Sequence, residues 1–307
     1  MDAGAIPGLA FGHLSRCLLI ARKLEEMFGT EIILVMRDYP EGVSFARKSA
    51  FEIKIIPTSC DDEDTFLVEF LDERRPEWLV ADLPYDTPFD YFRQVRSRGC
   101  KVAFIDDWRF RNPGADVYVN NSILSLERVA ITPEASGYYL GPEYFIFDES
   151  QVDPNCRPPV DQVAIAISFG GADPTNLTES VIATLVEMEN AACRFSVVLG
   201  PGYKHARRIS EMVEFHTDRF RILVGQDNII PIFQDSHCVI CAGGRTAYEL
   251  LTLGKPFLPI ASTEFEARTI AKLLALHVIR YGLTSWNAPR FLRSFPNLLS
   301  EMQPILV

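Results

Sequence analysis

Short apolar runs alternate with amphipathic segments along the chain. From Leu14 to Phe28 the apolar residues recur at spacings of three and four, and Gly29 follows, so this segment is predicted to be a helix that ends at the glycine. Near-continuous apolar runs then occur at residues 31–36, 51–56, 77–82 and 101–106. Such runs are typical of strands that are buried on both faces of a parallel sheet. The first half of the chain is therefore predicted to be a β/α-alternating domain.

The same alternation begins again after a polar segment that is rich in proline. This segment, residues 151–162, is predicted to be a linker between domains. Apolar runs follow it at residues 163–169, 195–200, 220–225, 238–243 and 255–260. We therefore expect an α/β protein with two doubly wound domains, residues 1–150 and 163–307, that face a central cleft. A ligand is expected in that cleft, at the carboxyl ends of the strands.

The first predicted helix has no strand before it. Only Met1 precedes the loop and helix of residues 2–28, whereas each later helix follows an apolar run. We expect either that the first strand is absent or that this chain begins downstream of the natural start.

The charge balance argues against one class of partner. The 307 residues include 30 Lys plus Arg and 41 Asp plus Glu, a net charge of −11, and no dense basic run. A nucleic-acid backbone finds no general attraction to such a chain, so nucleic acid is not an expected partner. A bound phosphate would need a local group of hydrogen-bond donors, such as the backbone N–H groups at the start of a helix.

The cysteine and hydropathy patterns indicate the compartment. Seven cysteines are scattered without the spacing of a disulfide framework, which suits a reducing compartment. No apolar stretch reaches the roughly 18 residues of a membrane span, and the N-terminus lacks the pattern of a signal peptide. We therefore expect a soluble, cytoplasmic protein without membrane insertion. The sequence indicates no particular protein partner.

Three glycine segments carry candidate chemistry. In the first, PGLAFGHLSR, Gly8 and Gly12 lie ahead of His13, and the helix is expected to begin at about Leu14. Glycine allows a backbone to approach a ligand closely, and a histidine at a helix start is expected to be exposed toward the cleft. A neutral imidazole is a competent base near neutral pH, so His13 is a candidate for taking a proton from water. A capping or packing role for His13 stays open.

The second glycine segment is ISFGGADPTNLT. It is predicted to run from a strand through Gly170 and Gly171 and a turn at Asp173 into a helix near Asn176. Its glycines either line a phosphate site or form a tight turn without a ligand.

In the third segment, CAGGRTAYELLTLGKP, a strand ends at glycines and a helix begins. Gly243 and Gly244 end the apolar run, and Arg245 and Thr246 open the helix. The unpaired N–H groups of a helix start and a guanidinium would converge on one point, which suits a diphosphate. Glu249, one turn further along, is either an acceptor for the hydroxyl groups of a ribose or a solvated surface carboxylate.

With these segments, the chain resembles the family of UDP-sugar hydrolases of the pseudaminic acid pathway, which includes spore-coat polysaccharide proteins. The matching stretches, in the family's order, are DAGAIPGLAFGHLSRCLLIARKL, FIDDW, YLGPEYFIF, SFGGADPTNLT and AGGRTAYELLTLGKP. This family is similar to the GT-B glycosyltransferases, above all to the enzyme that adds N-acetylglucosamine to the peptidoglycan lipid precursor. The resemblance implies a GT-B-like fold of two Rossmann-like domains, with residues 1–150 on the sugar side and residues 163–307 binding UDP.

The resemblance also implies roles for individual residues. It implies that His13 is the catalytic base and that a UDP-sugar is the substrate. The residues placed near UDP are Gly170 and Gly171 in the cleft loop, Asn228 and Ile229 facing the uracil, Gly243, Gly244, Arg245 and Thr246 at the diphosphate, and Glu249 at the ribose. The residues placed near the sugar are Gly12, Asp82 and Tyr85, and simple turn roles stay open for the last two.

The implied reaction is attack of water on the anomeric carbon with inversion, which releases UDP and free sugar. UDP is a good leaving group, so one base suffices where a glycosidase needs two carboxylates. No His/Asp cluster has the spacing of a metal site, so we expect no metal and no cofactor.

Two residues depart from the family. Phe265 and Glu266 stand where the family usually carries an Asn-Gln pair near the phosphates. A carboxylate near a diphosphate is repulsive unless it is paired. Other functions therefore stay open: a GT-B glycosyltransferase in which His13 deprotonates an acceptor, a 2-epimerase with further acid/base carboxylates, and a UDP-sugar-binding relative without turnover.

Overall fold

The computed structural model describes residues 12–57, 63–83, 89–106, 110–131, 137–188, 193–226 and 228–302. By its internal contacts the chain divides into two units, unit 1 (residues 1–146) and unit 2 (residues 147–307). Residues 1–11 lie outside the described part, so the predicted absence of a first strand stays a prediction. None of the described helices combines the length and the apolarity that crossing a membrane requires.

In unit 1 the helices and strands alternate, as the apolar pattern predicts. Its described helices are α1 (Gly12–Phe28), α2 (Pro40–Ala46), α3 (Glu63–Arg74), α4 (Phe89–Ser97) and α5 (Ser125–Arg128). Its described strands are β1 (Ile33–Arg37), β2 (Glu52–Ile56), β3 (Trp78–Asp82), β4 (Lys101–Asp106), β5 (Val117–Asn120) and β6 (Gly137–Leu140). The four predicted strands are confirmed as β1 to β4. The pattern does not predict β5 and β6, because their sequences, VYVN and GYYL, lack a continuous apolar run: an asparagine ends the first and a glycine begins the second.

The paired strands of unit 1 run parallel. β1 pairs with β2, and a second sheet has the order β3-β4-β5-β6. In the second sheet Asp82 lies opposite Ile105, and Asp106 lies opposite Asn120. Since parallel strands end at the same edge of a sheet, this register places polar side chains along the carboxyl edge of β3, β4 and β5.

In the described part of unit 1, two apolar clusters contribute to the core. Leu14 of α1 packs with Leu34 of β1 in one cluster, which fixes the first helix on the first strand. Ile33 and Val35, also on β1, pack against the other cluster, which includes Phe104 of β4. Because β1 contributes to both clusters, the two sheets of unit 1 share a continuous core.

The described part of unit 2 repeats the same alternation around one sheet. Its strands are β7 (Val163–Ser168), β8 (Cys193–Leu199), β9 (Phe220–Val224), β10 (Cys238–Ala242) and β11 (Phe257–Ile260). Its helices are α6 (Leu177–Val186), α7 (Ala206–Met212), α8 (Ile230–Gln234), α9 (Arg245–Thr252), α10 (Glu264–Ala275) and α11 (Ala288–Met302). All five predicted strands of this half are confirmed within a few residues at each end.

The strand order of unit 2 defines where a ligand is expected. The parallel order β11-β10-β7-β8-β9 runs outward from β7 in both directions, so the chain order reverses between β7 and β10. Cys241 of β10 lies opposite Ser168 of β7. The glycine segments that follow these two strands therefore leave the sheet side by side. In doubly wound sheets, ligands bind at such a reversal point, beyond the carboxyl ends of the strands.

The segment predicted as a linker is anchored to unit 2. The backbone N–H of Asp153 donates to the side chain of Gln234, and the side-chain amide of Gln234 donates back to the Asp153 carbonyl oxygen, at 3.0 Å and 2.8 Å. Cys156 contacts Asp235 at 3.1 Å. This part of residues 151–162 is therefore attached to the end of α8. The assignment of residues 1–150 and 163–307 to a sugar side and a UDP side stays a prediction.

Candidate functional site

A buried carboxylate holds the candidate base of unit 1. His13, Arg16 and Cys17 lie three and four residues apart on α1, so they share one face of the helix. Asp82, the last residue of β3, meets that face. Its Oδ1 contacts His13 Nδ1 at 2.6 Å, and Arg16 donates from Nε to Oδ2 at 2.6 Å and from Nη2 to Oδ1 at 2.7 Å. The side chain of Asp82 has no exposed surface, and those of His13 and Arg16 are 15% and 5% exposed.

The charges of this cluster determine the proton position on His13. Burial by itself raises the pKa of Asp82, but the charge of Arg16 and the hydrogen bond from His13 outweigh burial and lower that pKa to about 2. An ionised carboxylate only accepts hydrogen bonds, so Nδ1 of His13 carries a proton. Arg16 Nη2, 3.3 Å from Nδ1, is also a donor, so these two nitrogens do not bond to each other. In neutral His13 the lone pair is therefore on Nε2, the atom that can accept a proton.

The lowered pKa of Asp82 predicts how stability depends on pH. Its folded value of about 2 lies below the ordinary 3.8, so the ionised form stabilises the fold above about pH 4. This contribution, about 2 kcal/mol, is lost as the pH falls from about 4 to 2. We expect the stability difference between wild type and Asp82→Asn, measured by urea denaturation, to shrink over that range. Asp38→Asn, at an exposed carboxylate of unit 1, is the control; a difference for Asp82→Asn that does not change with pH would contradict the assignment.

The structure revises two expectations for unit 1. His13 is mostly buried rather than exposed, and it lies within the first turn of α1 because the helix begins at Gly12. Asp82 is predicted from the sequence to contact a sugar, but it has no exposed surface and both its oxygens are engaged inside unit 1. Asp82 contacts His13 and Arg16, and a contact between Asp82 and a sugar stays a prediction. Tyr85 lies outside the described residues, and a sugar contact of Gly12 stays a prediction.

The pattern of the sequence did not single out Arg16. Arg16 could have been identified because it is a charged residue on the apolar face of α1, between the buried residues Leu14 and Cys17. Arginine is almost never fully buried without a partner, so a buried carboxylate elsewhere in unit 1 was to be expected.

The two glycines after β7 have different surroundings in unit 2. Gly170 has a φ of +81°, which favours glycine, and no atom lies within 4 Å of the point that a Cβ there would occupy. Gly171 packs against Gly200, where an added Cβ would lie 2.4 Å from the Gly171 Cα, and the Gly202 N–H donates to the Gly171 carbonyl oxygen at 2.8 Å. Gly200 is therefore required where its loop packs against the Gly171 backbone, while Gly170 borders open space.

Asp173 satisfies the start of the helix that follows. Its buried carboxylate accepts hydrogen bonds from the backbone N–H groups of Leu177 and Thr178, at 2.9 Å and 2.8 Å. These groups at the N-terminus of α6 are thus already used within the protein. The N-terminus of α6 therefore offers a phosphate fewer N–H donors than the glycine pattern alone suggests.

The helix after β10 begins differently. Gly244 is the N-cap of α9, so this helix has no capping side chain, and Arg245 and Thr246 occupy its first turn. Arg245 Nε donates to Glu249 Oε1 at 3.0 Å, and the Glu249 side chain is only 13% exposed. Burial raises the pKa of Glu249, while the charge of Arg245 opposes the rise. Two residues with separate predicted roles, at the diphosphate and at the ribose, are therefore ion-paired with each other.

The glycines before α9 are also in contact with the next helix. A Cβ on Gly243 would lie 2.8 Å from the Ile270 side chain, and one on Gly244 would lie 3.0 Å from Glu266 Oε1. Ile270 is fully buried in α10, so it has little room to move. Close packing of α10 thus explains Gly243 without a ligand.

Asn228 and Ile229 precede α8. The Ile230 N–H donates to the Asn228 side-chain oxygen at 3.0 Å, and Ile229 is the N-cap residue. Asn228 therefore stabilises the start of this helix, and contact of either residue with uracil stays a prediction. Within the described ranges, no group of three or more His, Cys, Asp or Glu side chains is arranged to hold a metal ion.

The chain is similar in sequence to two known proteins, both at low identity. No protein-family profile matches the chain. The uncharacterized protein MJ1062 of Methanocaldococcus jannaschii is 24% identical over 269 residues, which cover 84% of this chain and 54% of that protein, so this chain spans about half the length of that relative. The spore coat polysaccharide biosynthesis protein SpsG of Bacillus subtilis is 18% identical over 275 residues, which cover 87% of this chain and 78% of SpsG.

Several solved structures share this architecture. The spinosyn rhamnosyltransferase SpnG, complexed with thymidine diphosphate, has a TM-score of 0.68 at 14% identity and covers 98% of this chain and 91% of its own. Acinetobacter baumannii MurG has a TM-score of 0.62 at 13% identity, with 100% and 92% covered. Anabaena Alr3699/HepE in complex with UDP has a TM-score of 0.61 at 11% identity, with 99% and 88% covered. The chain therefore has the GT-B fold, with two Rossmann-like domains.

Proposed function

We propose that this chain hydrolyses a UDP-linked amino or deoxy sugar to UDP and free sugar. The pathway proposed is the biosynthesis of a pseudaminic-type nonulosonic acid or of a surface polysaccharide, in the cytoplasm. The name of the Bacillus subtilis relative and the UDP and thymidine diphosphate bound by two GT-B neighbours support a nucleotide-sugar ligand. In this proposal unit 2 binds UDP, and unit 1 supplies the base.

The reversal point of the unit 2 sheet supports a nucleotide site there. Gly170 follows β7 and borders open space, and Gly244 follows β10 and begins α9 without a capping side chain. A diphosphate at α9 would accept from the first N–H groups of the helix and meet its positive dipole end. The Arg245 guanidinium, held in place by Glu249, adds a positive charge at the same helix start.

The observation that carries the reaction is the hydrogen bond from His13 to the fully buried Asp82. It fixes the imidazole ring and leaves Nε2 as the acceptor. In the proposed step, water forms a bond to the anomeric carbon while the bond from that carbon to the UDP oxygen breaks with inversion. The water proton moves to Nε2 of His13, and UDP leaves with the bonding electron pair. Asp82 stabilises the imidazolium that forms.

A glycosyltransferase is the second candidate. The three GT-B neighbours include a rhamnosyltransferase, and a fixed imidazole can deprotonate an acceptor hydroxyl as readily as water. The two reactions differ in whether UDP appears when water is the sole acceptor.

Incubation with a panel of UDP-sugars, without any added acceptor, tests the hydrolase proposal. We expect one member of the panel to yield UDP and reducing sugar in equal amounts, measured by anion-exchange chromatography and a reducing-end assay. Release of UDP only after an acceptor extract is added would identify a transferase instead. Binding of UDP with no release from any donor would show a UDP-sugar-binding protein without turnover.

A further inference from the structure

Glu266 is held against the glycine loop that opens α9. Its Oε2 accepts hydrogen bonds from the backbone N–H and the hydroxyl of Ser262, at 2.7 Å and 2.6 Å. Its Oε1 lies 3.0 Å from the point that a Cβ on Gly244 would occupy. Two hydrogen bonds restrain this carboxylate, so a negative charge stays beside the N-cap residue of α9.

The same residue has a structural role in its own helix. Thr263 is the N-cap of α10, and its hydroxyl accepts from the Glu266 backbone N–H at 3.2 Å. A threonine followed three residues later by a glutamate is the pattern of a capping box. A glutamine can accept the same hydrogen bonds from Ser262 without a charge. The capping role and the charge of Glu266 can therefore be separated by experiment.

Two carboxylates, Glu249 and Glu266, and the Arg245 guanidinium lie near the end of β10. Arg245 is paired with Glu249 inside α9, whereas the Glu266 carboxylate is held by neutral groups of Ser262. Burial, followed by the charges of Glu266 and Glu249, raises the pKa of the Cys241 thiol. Both carboxylates thus act on the same end of β10, where a phosphate would bind.

We propose that Glu266 is a specificity-determining residue that selects ligands by the charge of the phosphate bound at α9, an inference that rests on the proposed UDP site. In a UDP-sugar the β-phosphate is a diester with one negative charge. In free UDP the same phosphate is terminal and gains a second charge above its second pKa of about 6. A fixed carboxylate repels the second charge more, so Glu266 favours the UDP-sugar over UDP and promotes release of the product.

Calorimetric titration of wild type, Glu266→Gln and Glu264→Gln at about pH 8, where a terminal phosphate is fully ionised, tests this role. The probes are UDP, UDP-N-acetylglucosamine and uridine. We expect Glu266→Gln to bind UDP about tenfold more tightly, the modest end of the effect of one nearby charge. The gain for UDP-N-acetylglucosamine should be smaller, and uridine should bind unchanged. Glu264→Gln, at an exposed carboxylate of the same helix turn, should match wild type.

Glu266→Ala provides a second variant, because it removes the charge together with the hydrogen bonds from Ser262. Tighter UDP binding in both Glu266 variants supports the inference even if Glu266→Ala lowers the unfolding temperature. Equal or weaker UDP binding by both variants, with wild type binding UDP, overturns the inference and leaves the UDP site standing. Absence of UDP binding in every one of these proteins overturns the UDP site itself, and the role of Glu266 with it.

Discussion

Replacing His13 with alanine is expected to lower the rate of UDP release by about 10²–10⁴-fold, the usual contribution of a positioned general base. The loss follows from the geometry of unit 1, where Asp82 accepts from Nδ1 and leaves Nε2 to take the proton. UDP affinity should stay within about twofold of wild type, because the proposed function places UDP in unit 2. Steady-state release of UDP and calorimetric titration with UDP measure the two quantities.

His205→Ala is the matched control for the His13 variant. His205 is exposed at the start of α7 in unit 2, and we expect its replacement to leave the rate unchanged. A His13→Ala protein that releases UDP at the wild-type rate would rule out His13 as the base. A His13→Ala protein that loses UDP binding together with activity would show instead that His13 is needed for the fold or for the nucleotide.

Replacing Asp82 with alanine is expected to lower the free energy of unfolding by about 3–5 kcal/mol, because the buried Arg16 guanidinium would lose both of its hydrogen bonds to that carboxylate. Arg16 donates to both oxygens of Asp82, and its side chain is 5% exposed. Water cannot readily replace the lost partner at that depth. Urea denaturation, followed by the fluorescence of the tryptophans and by circular dichroism, measures the loss.

An exposed ion pair of the same unit provides the control for Asp82. Arg98 contacts Asp72 at 3.0 Å with side chains that are 31% and 58% exposed, so Arg98→Ala should cost less than about 1 kcal/mol. The double variant Arg16→Met, Asp82→Leu removes both charges and should recover much of the stability lost in Asp82→Ala. Equal costs for Asp82→Ala and Arg98→Ala would contradict the assignment of a buried pair.

Local sequence patterns predicted most of the fold. The nine predicted strands and the first helix are found where the apolar runs and the three- and four-residue spacing place them, because burial of strands and helices follows directly from that periodicity. The glycine segments after β7 and β10 were also evident, since glycines that follow an apolar run mark a turn. β5 and β6 were not predicted because VYVN and GYYL lack the continuous apolar run that marks the other strands.

The chemistry of the site depended on contacts between distant parts of the chain. His13 and Asp82 are 69 residues apart, and no local pattern shows that β3 ends against the first turn of α1 or that Asp82 is fully buried there. Tertiary packing buries Asp82 against His13 and Arg16, while its contact with a sugar and the base role of His13 stay predictions. Tertiary packing also places Glu266, a residue that departs from the family pattern, beside Gly244 at the start of α9, where Ser262 restrains its carboxylate.

The sequence by itself determined which residue types were available and on which elements they lie. Periodicity and turn chemistry act between neighbours, so they can be read along the chain. Only the tertiary structure decided which side chains form hydrogen bonds with each other and which side chains are buried. Those properties arise when strands and helices pack, and they set the ionisation of Asp82 and the proton position on His13.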